Sequence, residues 1–546
     1  MAYYKDLREY LNVLDKAGKL ITINSPINKD TELQPLVRLQ FRGLPEEQRK
    51  AFLFTNVYDS RGIKYDIPVV LGALAGSSEI YALGAQCKEV AEITEKLAQA
   101  QLHPIEPVMV DSGPAQEVVY MGDNLLEKGW LDEFPVPIGT PGWDAGPISS
   151  APCWVSKDPE NGIRNVGIYR SQLYAQDRMG IHLGSVDQHL QIQWQKARAK
   201  GIPLQVAIVV GGPPNQNYVG STRLPFEVDE YAVAGGIAGK AVELVKCKTV
   251  DVEVPANADI IIEGEMNIEE LEMEAPHGEH KGYMGMEEMQ PYLTVKCITH
   301  RKNPIWLGII SQTPPSESSK MAQHNSEGTL FRRLRYDLNM DYVLEVGYHD
   351  SIASAMSVVP IKMKMHTDQN KVWHTLEEVT GGKVVVAVDE DINIKDADMI
   401  WWAIGGRSQP HRDTRIVKYE SYDMRSSSIM PEDEMVKLRH RQFDKDVPLA
   451  EASRLLINAT LKWGYPPIAL PKKEYMEGAK RIWEKEGLPA LTLKDPWYGF
   501  ELGHWPKQFS EDAERAVRGE YYKTSEMRAR NRIKLDNSEW KAEGER

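Results

Sequence analysis

Apolar and polar positions recur with two different periods along this chain, and the changes of period mark its elements. The opening MAYYKDLREYLNVLDKAGKL spaces its apolar residues along one face of an amphipathic helix, whereas IPVVLGAL (67–74) is a short continuous run of strand type. From 164 to 184, RNVGIYRSQLYAQDRMGIHLG reads as two strand-like segments around the polar turn AQDR, which predicts a β-hairpin. VDQHLQIQWQKARAKG is helical and is closed by Gly201 and Pro203. LQVAIVVGG then reads as strand, VDEYAVAGGIAGKA as helix and TVDVEVPANADIIIEGEM as more strand. Past residue 320 a helix, SSKMAQHNSEGTLFRRLRYDL, leads into strand and helix alternation. There GKVVVAVDEDI (382–392) predicts a buried strand from its β-branched content, followed by the short helix KDADMIWWAIGG.

These pieces predict an α+β multidomain protein. Residues 1–115 form an N-terminal α/β domain, 116–318 a β-rich domain with a few helices, 319–475 a C-terminal α/β domain and 476–546 a charged helical tail. The tail has too little apolar surface for a domain of its own and is expected either to pack across a neighbouring subunit or to stay partly disordered. A chain of 546 residues fits such a division, at roughly 100–200 residues per domain.

Composition narrows the function classes. A hydrophobic content of 42% with 26% charged residues is ordinary for a soluble globular protein. The net charge of −14 argues against general affinity for nucleic acid or anionic membrane, although a local basic pocket for one anionic ligand stays open. Cys87, Cys153, Cys247 and Cys297 are scattered without a CxxC pair, which fits a reduced cytoplasmic setting. No run approaches the ~20 apolar residues of a membrane span, and the N-terminus lacks the apolar core of a signal peptide.

The chemistry concentrates at EAPHGEH (274–280), where Glu274 and Glu279 flank a turn stiffened by Pro276 and Gly278. Its HxE lacks the P-C-x-x-C partner of a zinc deaminase, and the HExxH spacing of zincins is absent. GGIAGKA (235–241) is one residue short of a phosphate loop and has Ala241 where Ser or Thr belongs, so close helix packing explains it. IGGRSQPHRD (404–413) is either a loop ending a helix or an anion-binding segment. In NVGIYRSQLY, strand alternation puts Ile168 and Arg170 on one face and Tyr169 on the other; Arg170 then needs a partner, for which Glu274 and Glu279 are candidates.

Taken in order, NVGIYR (165), DQHLQ (187), VDEYAVAGGIAG (228), ELVKC (243), VPANADIIIEGE (254), EAPHGEHKGY (274) and TPPSES (313) resemble the UbiD family of prenylated-flavin-dependent decarboxylases. The resemblance runs from the N-terminus to about residue 475. It implies a central split β-barrel over 116–318 that binds prenylated FMN, whose phosphate is held by manganese and potassium, and a C-terminal domain involved in oligomerisation as a dimer or hexamer. Residue by residue, it places the manganese ligands on Asn165, His189 and Glu230. Flavin contacts fall on Ile168, Tyr169, Arg170, His182 and Leu183, and the catalytic arginine and acids are Arg170, Glu274 and Glu279. An amide, an imidazole and a carboxylate suit such a hard or borderline divalent ion. His277 stands where the family often has an aromatic residue, and it either touches the substrate or packs in the turn.

The implied activity is reversible, non-oxidative decarboxylation of an aromatic acid or its CoA thioester in microbial aromatic degradation, with carbon dioxide as co-product. A flavin prenyltransferase would supply the cofactor. Arg170 is expected to keep Glu274 ionised, while Glu279, against apolar substrate and flavin, is expected to have a raised pKa and to deliver a proton. Two rival readings are a subunit of a multi-subunit aryl carboxylase acting on phenyl phosphate or arenes, and a plain FMN redox protein.

Overall fold

The computed structural model describes residues 2–127, 130–280, 282–349, 357–421, 428–439, 441, 443 and 450–534. Residues 535–546 of the expected tail lie outside them. The protein is α+β, with three larger sheets. The N-terminal helix Leu7–Lys16 forms where the pattern predicts one: Leu7, Tyr10, Leu11 and Leu14 share its buried face, and the Asp6 carboxylate accepts the Glu9 N–H at 3.0 Å as its cap. It packs against a four-stranded sheet ordered Leu20–Ile23, Ala51–Phe54, Val69–Leu71 and Trp306–Leu307. The last strand arrives from more than 200 residues downstream and pairs in parallel with Val69–Leu71. One apolar core therefore runs without a break from Tyr3 to Met321.

The nine-stranded central sheet follows the path Arg164–Ile168, Cys153–Lys157, Leu204–Val210, Ile260–Met266, Tyr292–His300, Arg178–Gly180, Ser171–Ala175, Ile148–Ser149, with Val118–Met121 added beside Tyr292–His300. The path's two ends, near Asn165 and Ile148, line the same cavity, so the sheet curls on itself. A bulge between Glu263 and Gly264 supports the curl, and Gly264 is needed there because a Cβ would stand 2.2 Å from the Thr294 carbonyl oxygen.

The expected hairpin over 164–184 is corrected by this topology. Only its second half pairs as a hairpin, Leu173 with Met179 and Ala175 with Arg178. Arg164–Ile168 pairs instead with Cys153–Lys157, and the chain leaves the strand at Tyr169. Gly167 explains the break: a Cβ at that position would lie 2.4 Å from Tyr169 Cε2, so the tyrosine ring folds back over the glycine. Arg170 consequently projects from a connecting segment rather than from a regular strand face.

Helix Glu317–Arg332 opens on a reciprocal cap between Ser316 and Ser319. Glu317 is fully buried and accepts backbone N–H groups from Gly72, Leu74, Ala75 and Ile310 at 2.9, 2.8, 3.3 and 3.0 Å. That carboxylate ties the N-terminal sheet to the segment 309–312 that floors the cavity.

The third sheet is ordered Val343–Val346, Val358–Met363, Val384–Asp389, Ala450–Asn458 and Thr414–Ser421. Its central strand sends Val385 and Ala387 into one apolar cluster and Val386 and Val388 into another, so it is buried on both faces as its composition predicts. Beside it, the open reading of IGGRSQPHRD closes: Arg407 is buried against Asp389 and Asp391, and Arg412 pairs with Asp413, so both arginines already have carboxylate partners. The tail helices Lys473–Lys485, Lys507–Val517 and Tyr521–Ala529 bury no residue within this chain. No described helix is long and apolar enough to cross a membrane.

Candidate active site

A cavity of about 420 Å³ lies between the curled sheet, the turn 277–280, the segment 309–312 and the stretch 220–224. That volume falls in the usual ~300–1,000 Å³ range of small-molecule sites. Of the residues singled out from sequence, Asn165, Ile168, Tyr169, Arg170, His182, His189, Glu230 and Glu279 line it. Glu274 stands behind Arg170 with no exposure. Leu183, expected to contact flavin, is corrected: it is fully buried in the apolar core and does not line the cavity, because His182, its neighbour, takes the inward position.

Arg170 organises one end. Its Nε donates to Glu274 Oε1 at 2.9 Å and its Nη2 to Glu274 Oε2 at 2.8 Å, a two-point grip that fixes the guanidinium plane. Its Nη1 donates to Glu279 Oε1. His182 Nδ1 sits 2.8 Å from Glu274 Oε2, while its buried Nε2 has no hydrogen-bond partner and faces Glu279 Oε1 at 3.9 Å. Burial pushes the Glu274 carboxyl up, but the charges of Arg170 and His182 outweigh it and hold the group well below the usual carboxylate range. Glu279 is shifted the same way, burial being overcome first by Arg170. The raised Glu279 expected from sequence is therefore not found, because Arg170 reaches both acids at once.

The turn that carries Glu279 is held from both sides. His277–Gly278 pairs with Met284–Gly285, and the Glu279 N–H donates to the Tyr283 carbonyl at 2.8 Å. Glu274 lies in Glu272–Glu274, paired with Glu288–Gln290 so that Glu274 stands opposite Glu288.

At the other end, Glu230 begins the helix Glu230–Ala238, which Asp229 caps. Glu230 Oε2 accepts the Val166 N–H at 2.9 Å, and Oε1 stands 3.9 Å from His189 Nδ1. Burial pushes the Glu230 carboxyl up to about 8. Asn165 is buried and its Nδ2 has no hydrogen-bond partner. Among the described residues no group of three or more His, Cys, Asp or Glu side chains is placed to hold a metal, so a metal here would draw on the Asn165 amide for its third donor.

Several lining or supporting residues escape sequence reasoning. Ser221, Thr222 and Arg223 border the Glu230 end. Glu288 takes a hydrogen bond from Gln290 Nε2 at 3.1 Å and an ion pair from Arg439 Nη1 at 3.2 Å, so helix Glu432–Arg439 of the C-terminal part supports the acid cluster from behind. Gln34 and Gln312 reach the cavity from the N-terminal helix Leu33–Gly43 and from the segment before helix Glu317–Arg332. Only the positive φ of 68° at Gln312 marks any of these as unusual, and sequence does not display it.

Residues 108–314 match the 3-octaprenyl-4-hydroxybenzoate carboxy-lyase Rift-related domain, and residues 343–457 match the C-terminal domain of the same carboxy-lyase. The chain belongs to the UbiD family of carboxy-lyases. An uncharacterised protein of Aquifex aeolicus is 31% identical over 521 residues, covering 89% of this chain and 99% of the relative. An uncharacterised protein of Synechocystis is 31% identical over 461 residues, 78% of this chain and 87% of the relative. Among solved structures, an evolved dimeric form of the UbiD-class enzyme HmfF from Pelotomaculum thermopropionicum in complex with prFMN superposes with a TM-score of 0.70 at 28% identity, covering 86% of this chain and 97% of that one. The closed form of vanillic acid decarboxylase from Sedimentibacter hydroxybenzoicus shares the fold, with a TM-score of 0.74 at 24% identity over 89% of this chain and all of that one.

Proposed function

We propose that this UbiD-family carboxy-lyase decarboxylates an aromatic carboxylic acid, or carboxylates the corresponding arene in reverse, with prenylated FMN in the 420 Å³ cavity. The observation that carries the reading is the Arg170 cluster, one guanidinium gripping Glu274 at two points and reaching Glu279 from the cavity wall. Bound prenylated flavin supplies the electron sink that an aryl carbanion lacks. Everything else asked of the protein is orientation, charge and one proton.

Glu274 is the fixed member. Fully buried and held ionised by Arg170 and His182, it keeps the guanidinium aimed into the cavity. Glu279 is the variable one. Its carboxyl is held low first by Arg170 Nη1, with His280 and His182 adding to it. A substrate carboxylate competing for Nη1 removes the largest of these influences and shifts the balance toward burial, which raises the carboxyl and lets it carry a proton to the ring carbon that carbon dioxide has left. His182 Nε2, buried and unpartnered beside Glu279, is placed to steady the displaced carboxylate.

The Glu230 end suits the cofactor's phosphate. A buried carboxylate, an imidazole 3.9 Å from it and the oxygen of the buried Asn165 amide would form an oxygen and nitrogen donor set for manganese, with potassium as a second neutralising ion. Asn165, His189 and Glu230 would hold the metal, with Ser221, Thr222 and Arg223 beside it. A flavin prenyltransferase supplies the cofactor, and the chain works as a homo-oligomer.

The test is anaerobic reconstitution with prenylated FMN, followed by carbon dioxide release from a panel of aryl acids and aryl-CoA thioesters. Wild type is expected to turn over at least one of them. Glu279→Gln is expected to keep the flavin and lose activity by about 10²–10⁴, the span of general acid–base catalysis. Turnover of Glu279→Gln at the wild-type rate would remove Glu279 from this role.

A further inference from the structure

Beyond Glu274 and Glu279 the acid cluster holds a third buried carboxylate, to which the reaction as described gives no task. Glu288 is 4% exposed and stands across the strand pair from Glu274. Its Oε1 lies 3.2 Å from Arg439 Nη1, and its Oε2 accepts from Gln290 Nε2 at 3.1 Å. Gln290 Oε1 in turn accepts the Leu183 N–H at 3.1 Å, so the backbone next to His182 hangs on the same group. Arg439 is buried with its partner, which makes this an ion pair at depth and not a surface contact.

Arg439 comes from the C-terminal part. In the chain its helix Glu432–Arg439 lies between strands Thr414–Ser421 and Ala450–Asn458, and the segment is seated without help from the ion pair. Met435 is fully buried, and the Phe443 ring meets Trp194 edge to face, with 5.4 Å between ring centres. Trp194 belongs to helix His189–Lys200 of the central part. Apolar contacts already hold the two parts together, and a buried ion pair adds little stability once the desolvation of both charges is counted. A staple alone does not account for a guanidinium and a carboxylate at this place.

The imidazole of His182 accounts for it. Three polar groups surround its Nδ1: Glu274 Oε2 at 2.8 Å, Arg170 Nη2 at 2.9 Å and, further off, Glu288 Oε2 at 3.9 Å. On the other side of the ring Nε2, which has no hydrogen-bond partner, faces Glu279 Oε1 at 3.9 Å. Whichever carboxylate holds Nδ1 therefore decides where Nε2 points. We propose that Arg439 is a positioning residue for proton delivery: by balancing Glu288 it leaves His182 with Glu274 and keeps Nε2 against Glu279; this rests on the decarboxylase reading above. Without Arg439, Glu288 is a buried charge with one amide donor, and His182 Nδ1 becomes the group it draws on.

The experiment uses the reconstituted full chain and an aryl acid that wild type turns over. Arg439→Met is expected to lower kcat by about tenfold, within the usual coupling of contacting residues, with KM and bound flavin unchanged. Arg439→Lys is expected to keep most of the rate, because the contact with Glu288 is single and asks for charge, not for a planar fork. The deciding variant combines Arg439→Met with Glu288→Gln, which keeps an acceptor for Gln290. It lacks the ion pair as fully as Arg439→Met but carries no unbalanced carboxylate, so kcat returns toward wild type, whereas loss of a mere staple would leave it as slow as Arg439→Met. In flavin-free protein carrying isotope-labelled histidine, the His182 ring resonances are expected to shift in Arg439→Met and to return in the double variant. A wild-type kcat in Arg439→Met, a double variant no faster than the single one, or His182 resonances that do not move overturns this inference alone. No turnover of any aryl acid or thioester by wild type overturns the decarboxylase reading and this inference with it.

Discussion

The two ends of the cavity bury carboxylates equally well and treat them in opposite ways. Glu274 and Glu230 are both almost wholly enclosed, yet Glu274 is held far below the ordinary carboxylate range and Glu230 is pushed up to about 8. Desolvation acts in the same direction on both. The difference is the guanidinium: Arg170 supplies Glu274 with a charge and two hydrogen bonds, whereas Glu230 receives backbone N–H groups and only the weaker pull of Arg164, which burial outweighs. The Glu274 carboxylate is therefore fully paired within the protein, and the Glu230 carboxylate is paired far more weakly.

Removing Arg170 makes the two ends alike, and it is the largest effect expected. Arg170→Ala leaves Glu274 with only His182 and Glu279 with only its neighbouring histidines, and should destabilise the fold by about 3–5 kcal/mol, the usual cost of breaking a buried ion pair from one side. The pH dependence then changes sign. In wild type the Glu274 pair contributes stability that is present above the ordinary carboxylate pKa of about 4.3 and is lost only as pH falls through the much lower folded value. In Arg170→Ala burial acts without the cation, so the carboxyl rises and stability is lost as pH rises above about 4.3. Thermal melts from pH 4 to 8 check this: a variant whose Tm falls no more across that window than the wild type's would show that Arg170 is not what separates the two ends.

How much of this was legible beforehand depended on sequence distance. Arg170, Glu274 and Glu279 belong to short segments recognisable by their residue types and order, and the structure brings them together. The helices at 7–16, 189–200 and 317–332 fall in segments whose pattern reads as helical, the second also ending at Gly201 as expected. What failed was alternation near Gly167, where the Tyr169 ring displaces the strand; Leu183, which the resemblance placed at the flavin, has its side chain in the apolar core. The Glu279 shift failed because one guanidinium serves two acids, which no pairwise reading of spacing contains. Gln34, Asp144, Glu288 and Arg439 reach the site from four separate parts of the chain, and nothing local announces any of them. The strand Trp306–Leu307 is two residues long and completes a sheet begun near residue 20, a pairing only tertiary structure supplies.

Supplying a cation to the Glu230 end sharpens the contrast from the other side. Manganese binding to the native state alone should raise stability by about 2.7 kcal/mol at a hundred times its Kd. The rise in Tm on adding manganese should be absent from His189→Ala and from Glu230→Gln, and should persist in Glu279→Gln, whose change lies at the opposite end. An equal rise in all of these proteins would place the ion elsewhere.

The smallest effect is the most pointed. With chelator present and at pH 9, above the value of about 8 to which burial pushes the carboxyl, Glu230→Gln removes a buried charge that Arg164 offsets only weakly while keeping an amide oxygen to accept the Val166 N–H, which Glu230 Oε2 now accepts at 2.9 Å. Removing a weakly paired buried charge without losing its acceptor is neutral or stabilising, so the metal-free variant should melt within about 1 kcal/mol of wild type and on the stable side. Glu274→Gln, the same change of one atom at the other end, strips Arg170 of its two-point partner and should cost about 3 kcal/mol or more. Two isosteric substitutions at equal depth with opposite signs are what the cation asymmetry requires. Denaturant melts of the pair in chelator test it directly, and a Glu230→Gln protein destabilised as far as Glu274→Gln would mean that the metal-free site already holds a partner for that carboxylate.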